Sequence, residues 1–303
     1  MSQTDTACAP SLFAAFAPLR VASAGRAEPL AREAEAEVVA LLSERPVHAV
    51  NLLGLIGDNG LVSPHNRGTF YGCRDEHGRL EGVALIGHAT LFEARTPRAL
   101  RAFARAAQSR PNVHLVLGES EPVAEFWCHY RAAGQPLRLV CRELLFELSR
   151  EDGARAHVAV PGLRLATRAD LPLIMPVQAR MVEEESGINP LLSDPEGFQR
   201  RCVLRIDRGR TWVLTEGDRL VFKAEVLAEA GGVVYLEGVH VAPEERGLGR
   251  GLQCLSHLTR ELLRRAHSVC LLVNERNEAA HAFYRKAGFR LDCHYDTIFL
   301  RRD

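Results

Sequence analysis

The chain carries no surplus of either charge: lysine plus arginine and aspartate plus glutamate each number 38 in 303 residues. That balance leaves no field of one sign to gather nucleic acid or an anionic membrane, so neither is expected as a partner. No Cys-x-x-Cys pair occurs among the eight cysteines, which removes the usual signatures of a zinc knuckle or a dithiol redox site and suggests reduced, half-buried thiols. The twelve histidines form no His-x-x-x-His pair with carboxylate support, so no metal is implied. No basic-then-apolar leader opens the chain and no later run is long and apolar enough to span a bilayer; the expectation is a soluble, cytoplasmic enzyme. A covalent nucleophile is not suggested either, since no Ser-His-Asp or Cys-His arrangement stands at readable spacing.

What is present is length and apolar content. With 303 residues and 47% hydrophobic residues, the chain can bury a sizeable core, and two domains fit better than one. Residues 1–25 are Ala-, Ser- and Pro-rich without periodicity and are expected to be mobile. Residues 26–150 form a first domain, 151–160 a polar linker, and 161–303 a second domain. The monomer and the homodimer are both left open.

Each domain reads as a mixture of helix and strand. In the first, 28–43 has helical character that Pro46 ends, a short helix covers 51–56, and a hairpin joins 69–74 to 79–86. Helices follow over 97–107 and 122–133, with strands at 113–117 and 144–148. In the second, a helix runs from Asp170 to about residue 185, Asp194 caps a helix that starts at Pro195, and a hairpin joins 211–215 to 220–227. A long strand over 233–241, a glycine loop, a helix over 249–266, a strand over 269–273, a helix over 278–287 and a strand over 297–300 complete the order. Tyr130 to Gly134 (Tyr-Arg-Ala-Ala-Gly) matches Tyr284 to Gly288 (Tyr-Arg-Lys-Ala-Gly), each behind an apolar strand, so the halves resemble a diverged duplication.

The most informative stretch is the strand ending at Val239, His240 and Val241, which runs through Arg246, Gly247, Leu248, Gly249, Arg250 and Gly251 into a helix. Alternating glycines let successive N–H groups converge on phosphate oxygens at the positive end of that helix, and the two arginines add charge-assisted hydrogen bonds. A Walker loop is excluded because no Gly-Lys-Ser/Thr follows, and a dinucleotide fingerprint because Leu252 stands where its last glycine belongs.

Arg246 to Gly251, preceded by Val-x-Val-x-Pro, resembles the acetyl-CoA motif of the GNAT N-acetyltransferase superfamily. Residues 277–284 with Gly288 and Phe289 resemble its second motif. The resemblance implies an α/β (α+β) architecture of tandem GNAT-like folds, each a mixed, mostly antiparallel sheet flanked by helices, with a splayed strand pair in the C-terminal half. It implies acetyl-CoA as cofactor, held by the loop and by the exposed backbone of Val239, His240 and Val241. Asn274 and Asn277 match positions that hold the cofactor's arm, and Tyr284 matches the acid that protonates the departing thiolate. Glu237 is the candidate general base: by strand alternation it shares a face with Tyr235, Val239 and Val241, while His240 points to the other. Glu183 and Glu184, in an acidic run that ends at Glu185, would lie near the acceptor's entrance and attract a cation.

The leading expectation is transfer of an acetyl group to a primary amine of a small molecule or protein by direct attack in a ternary complex. A silent acyl-CoA sensor and a tandem transferase of specialised metabolism, such as the mycothiol synthase class, are the alternatives. The first half has no glycine in 90–99, where its counterpart of the loop falls, and Pro97 lacks a donor. It resembles a degenerate transferase half that does not bind acetyl-CoA in the same way.

Overall fold

Prolines and short polar caps set many of the helix starts. Pro97, Pro190 and Pro195 each open a helix, and the residue before each accepts a hydrogen bond from a first-turn N–H: Thr96 from Ala99, Asn189 from Leu191, Asp194 from Gly197. Such caps satisfy donors that no helical carbonyl can reach. The computed structural model describes residues 25–151 and 159–301. The expected mobile segment, up to residue 24, and residues 152–158 of the expected linker lie outside them.

The N-terminal half runs β1 (Ala27–Pro29), α1 (Glu35–Leu42), α2 (Pro46–Asn59), β2 (Gly68–Arg74), β3 (Leu80–Gly87), β4 (Ala89–Ala94), α3 (Pro97–Gln108), β5 (Leu115–Glu119), α4 (Ser120–Tyr130) and β6 (Leu137–Ser149). The C-terminal half runs β7 (Arg164–Leu165), α5 (Leu171–Ser186), α6 (Pro190–Ser193), α7 (Pro195–Asp207), β8 (Thr211–Glu216), β9 (Arg219–Ala230), β10 (Val233–Val241), α8 (Arg250–Leu263), β11 (Ser268–Asn274), α9 (Glu278–Lys286) and β12 (Arg290–Leu300).

Several elements differ from the sequence expectation: β6 and β12 begin at Leu137 and Arg290 rather than at 144 and 297, α2 is longer than 51–56, and α6 was not expected. Residues 27–29 pair with β2 as a strand, where the charged, Ala-rich composition reads as helix; an edge position tolerates Pro29. Pro46 starts α2 rather than only ending what precedes it, because a proline fits the first helical turn, where its missing N–H is not needed. Residues 89–94 form β4, hidden because only part of that strand is apolar.

All twelve strands join one mostly antiparallel sheet in the order β1-β2-β3-β4-β5-β12-β6-β11-β10-β9-β8-β7. The halves exchange their last strands. β12 pairs with β5, Tyr295 facing Glu119, and β6 pairs with β11, from Ser149 facing Ser268 to Glu143 facing Asn274. The exchanged strands also pair with each other at the centre, from Arg290 with Glu147 to Leu300 with Leu137. Neither half therefore closes its sheet with its own chain alone.

Helices cover both faces. α8 and α9 bury Leu255, Leu258, Leu262 and Tyr284 against Phe146, Val234, Leu236 and Leu271. The opposite face near the centre packs Val50 of α2 with Leu145, Ala228, Tyr235, Cys270 and Tyr295. α2 thus ties the N-terminal half to strands of the other, and Asp58 at its end pairs with Arg208 (3.0 Å) and Arg210 (2.6 Å).

That approach is close enough to test. A Cβ on Gly54 would stand 2.7 Å from the Cβ of Ala228, whereas one on Gly57, a turn further on, would meet nothing within 4 Å. Gly54→Val is expected to cost about 1–3 kcal/mol through overpacking, read as a fall of several degrees in the thermal midpoint. Gly57→Val serves as the control, and equal midpoints for the two variants would refute the close approach.

Candidate active site

The site begins with a break in β10. Its register against β9 slips between Glu237 and His240, and Gly238 sits inside that slip at φ +60°. A bulge of this kind inserts one unpaired residue, and glycine accepts the left-handed conformation without strain. A Cβ there would also stand 2.8 Å from Lys223 Nζ and 3.0 Å from Gln178 Oε1. Lys223, fully buried, donates to Gln178 Oε1 (2.6 Å) and to the Gly238 carbonyl (3.0 Å), so the bulge is held from beneath. Glu225 pairs with Lys223 at 3.3 Å and with Arg205, which in turn lies 3.9 Å from Glu237.

The bulge overturns the expected alternation. Val239 and Val241 pack with Val234 and Leu236 against α8 and α9, while Tyr235 packs on the other face. Glu237 and His240, opposite Glu225 and Lys223, share one face of the sheet. One extra residue reverses every side chain beyond it, so His240 lies on the Glu237 side rather than opposite. His240 is buried, and loss of hydration, reinforced by Arg180, Lys223 and Arg246, pushes it down to about 4. Its imidazole is neutral near pH 7.

Beyond the bulge the central strands part. β10 and β11 pair in parallel only from Val233 with Ser268 to Leu236 with Leu271, although β10 continues to Val241 and β11 to Asn274. Each continues to pair with its outer neighbour, β9 or β6. The peptide groups on the two inner edges of the fork are therefore left available for hydrogen bonding.

At the end of β10 the chain passes Pro243, Glu244 and Glu245 and reaches the glycines. Gly247 and Gly249 have φ of +77° and +81°, and a Cβ on either would meet nothing within 4 Å, so open space lies in front of the loop. Leu248 between them is 72% exposed. Gly249 is the N-cap of α8 and no side chain caps that helix, which leaves its first-turn N–H groups facing outward at the positive end of the helix dipole. Gly251 serves a different purpose from the one expected: its φ is ordinary, and a Cβ would stand 2.6 Å from Val241 Cγ2. It lets α8 approach β10.

The two arginines also differ. Arg246 donates from Nε to the Val241 carbonyl at 3.0 Å and stays exposed. Arg250 is engaged by Glu216 and by Glu245 (3.3 Å), carboxylates that also hold Arg219. Asn274 and Asn277 have local duties: Asn274 Oδ1 accepts from Arg276 N–H, and Asn277 Oδ1 caps α9 by accepting from Ala280 N–H. Tyr284 is 8% exposed, its ring between Phe146, Phe283 and Phe289. Loss of hydration raises its phenol, so it holds its proton.

On the face opposite α8 and α9, carboxylates gather. Glu185, at the C-terminal end of α5, is exposed. Its carboxyl is pushed up to about 8 by loss of hydration first and then by Glu237 and Glu143. Glu143 of β6 is raised mainly by burial, and its Oε2 accepts the Thr297 hydroxyl at 2.5 Å. Tyr235 is raised by burial and by Glu143 and Glu237. Of the expected pair, Glu183 accepts from Asn189 Nδ2 at 2.9 Å and both residues are exposed. Glu143 was not singled out by sequence, since only its pairing opposite Asn274 brings it here.

The N-terminal half has the same plan with its openings filled. β4 and β5 pair only from Ala89 with Leu115 to Leu91 with Leu117, and beyond them the Arg45 guanidinium spans Glu93 (3.0 Å) and Glu119 (2.8 Å). Thr96 Oγ1 caps α3 and Pro97 has no N–H to offer.

This arrangement offers outward-facing amides at a helix start on one face, carboxylates on the other, and a gap between two strands joining them. The profile of the Acetyltransferase (GNAT) family matches residues 179–289. Residues 179–289 thus form a GNAT-family domain. Solved structures extend the likeness of fold to the whole chain. A Drosophila protein shares 14% identity over 92% of this chain and 99% of its own, with a TM-score of 0.65. A tandem GNAT protein from the clavulanic acid biosynthesis pathway, solved without AcCoA, shares 16% over 90% of this chain and 97% of its own at 0.58. A GCN5-related N-acetyltransferase from Sphaerobacter thermophilus shares 14% over 92% and 96% at 0.55. Coverage of nine tenths takes in both halves, so the N-terminal half shares in the likeness of fold. No curated protein matches the sequence. Among the described residues no helix is long and apolar enough to cross a membrane.

Proposed function

We propose that this GNAT chain is an acetyl-CoA-dependent N-acetyltransferase that transfers the acetyl group to a primary amine by direct attack in a ternary complex. The observation that carries the reading is the fork between β10 and β11, which opens at one end of the glycine loop and is faced on its other side by Glu185 and Glu237. The residues fit the cofactor: open space in front of Gly247 and Gly249 and the uncapped start of α8 suit a pyrophosphate. Arg246 stands beside them, and the inner edges of the fork along Val239, His240 and Val241 suit an amide-rich arm through the backbone groups left after the Val241 carbonyl accepts from Arg246. Bound acetyl-CoA supplies an acyl group already activated as a thioester.

The chain's own residues then move protons. Glu185 takes one from the acceptor's ammonium, with the Glu237 carboxyl on the same face of the sheet, and the freed amine attacks while the carbon–sulfur bond breaks. Tyr284, uncharged and on the cofactor's side, gives its proton to the departing sulfur and is restored by the second proton that the nitrogen must shed as the amide forms. Tyr284→Phe is accordingly expected to lower kcat by about a hundredfold or more with little change in acetyl-CoA affinity; unchanged turnover would refute that role.

The N-terminal half, with Arg45 across its fork and Thr96 capping α3, does not take a second cofactor. Calorimetry with acetyl-CoA and a screen of primary amines test the reading together: one cofactor per chain and an acetylated amine are expected. Absence of binding overturns it, and tight binding without turnover favours the sensor.

A further inference from the structure

The strand exchange puts a residue of the N-terminal half into the C-terminal half's site. β6 belongs to the N-terminal half by sequence, yet pairs along β11 and reaches Asn274, at the mouth of the fork, with Glu143. Within β6, Leu144, Phe146 and Leu148 pack under α8 and α9, while Leu145 packs on the face of Tyr235. Alternation places Glu143 with Leu145, hence on the face that carries Glu237. A second exchanged element steadies it: Thr297 of β12 donates its hydroxyl to Glu143 Oε2. Cys141, two residues earlier, lies 3.7 Å from the Glu185 carbonyl oxygen and donates to it, tying the end of α5 to β6.

Cations stand in the neighbourhood, Arg180 and Lys223 near His240 and Arg276 near Cys141, yet among the described residues neither Glu143 nor Glu185 forms an ion pair, and no cation is among the groups that shift them. Arg205 approaches Glu237 and is shared with Glu225, and Arg138 of β6 donates to the Ser186 carbonyl rather than to a carboxylate. Glu143 has the Thr297 hydroxyl, a neutral donor. Desolvated carboxylates call for a cationic partner. If Glu185 receives the proton of the reacting ammonium, Glu143 remains for a second positive group.

Resting on the acetyltransferase reading above, we infer that Glu143 is a specificity-determining residue supplied by the N-terminal half, and that the acceptor is a small dicationic amine whose non-reacting ammonium it binds. The half that holds no cofactor is kept because its last strand completes the acceptor site of the other.

Direct binding separates this inference from the general one. Calorimetry compares 1,4-diaminobutane with butylamine on the full chain saturated with coenzyme A. The wild type is expected to bind the diamine at least about tenfold more tightly, the scale of one hydrogen bond to a charged group. Glu143→Gln is expected to erase that preference while leaving coenzyme A affinity and the thermal midpoint near wild type; Glu143→Asp retains part of it. Equal binding of the two amines by the wild type, or a preference that survives Glu143→Gln, overturns the inference. Intact coenzyme A binding with either of those results leaves the cofactor site standing, whereas loss of coenzyme A binding in the wild type sinks the acetyltransferase reading itself. Should Glu143→Gln lower the midpoint, Thr297→Val, which removes only the hydroxyl that holds Glu143, is expected to narrow the preference; no narrowing also counts against the inference.

Discussion

Gly249→Trp is expected to leave the chain folded and to abolish measurable acetyl-CoA binding. Folding survives because a Cβ at that position meets nothing within 4 Å, so the cost is that of a side chain in a left-handed conformation, roughly 1–2 kcal/mol, against a typical stability of about 5–15 kcal/mol. Binding does not survive, because the indole fills the space in front of the α8 amides. Losing two hydrogen bonds to a charged phosphate, at about 1.5–3 kcal/mol each, weakens affinity by two to four orders of magnitude. Leu248→Ala is the matched control: the side chain is 72% exposed and the loop uses only its N–H, so affinity should hold. Calorimetry on both variants decides the matter, and a Gly249→Trp protein that binds acetyl-CoA with wild-type affinity removes the loop from the site.

How far the sequence reached follows from the range of the interactions involved. β10 ends at Val233 and Val241, the limits that its apolar run suggests, and the cap at Asp194 is a local hydrogen bond that a few neighbouring residues determine. The glycine loop was legible for the same reason. Gly238 was not: a single glycine in a strand can be filler or bulge, and only Lys223 and Gln178, distant in sequence, show why it bends. From that one residue came the misplaced faces of His240, Val239 and Val241.

The exchange of β6 and β12 lay further out of reach. Leu137–Ser149 and Arg290–Leu300 are each compatible with closing their own half, and nothing local distinguishes the two pairings. Glu143 was invisible for that reason, as were the Arg45 bridge in the first fork and the engagement of Arg250 by Glu216 and Glu245. Sequence spacing suggests no metal ligands, yet folding brings donor atoms of His48, Asp292 and Cys293 within 4.8 Å of one another. In each case the deciding neighbour is a different element.

Glu185→Gln is expected to reduce kcat by about a hundredfold to ten-thousandfold, the span of a lost general base, and to remove the acid limb of its pH profile. The chemistry explains the size. An alkylammonium loses its proton near 10, and an ordinary glutamate near 4.3 lies about six units away, an uphill transfer of roughly 8 kcal/mol. A carboxyl pushed up to about 8 narrows that gap, though by less than the full difference where solvent screens the site. The sign follows: the base must be ionised to act, so kcat should rise about tenfold per pH unit below 8 and level off above it. Because Glu237 and Glu143 contribute to the shift, removing either negative charge should move the inflection to lower pH. Glu237→Gln therefore distinguishes the two carboxylates. If Glu185 is the base, Glu237→Gln shifts the limb downward and leaves it in place; a limb that disappears in Glu237→Gln and persists in Glu185→Gln assigns the proton to Glu237 instead.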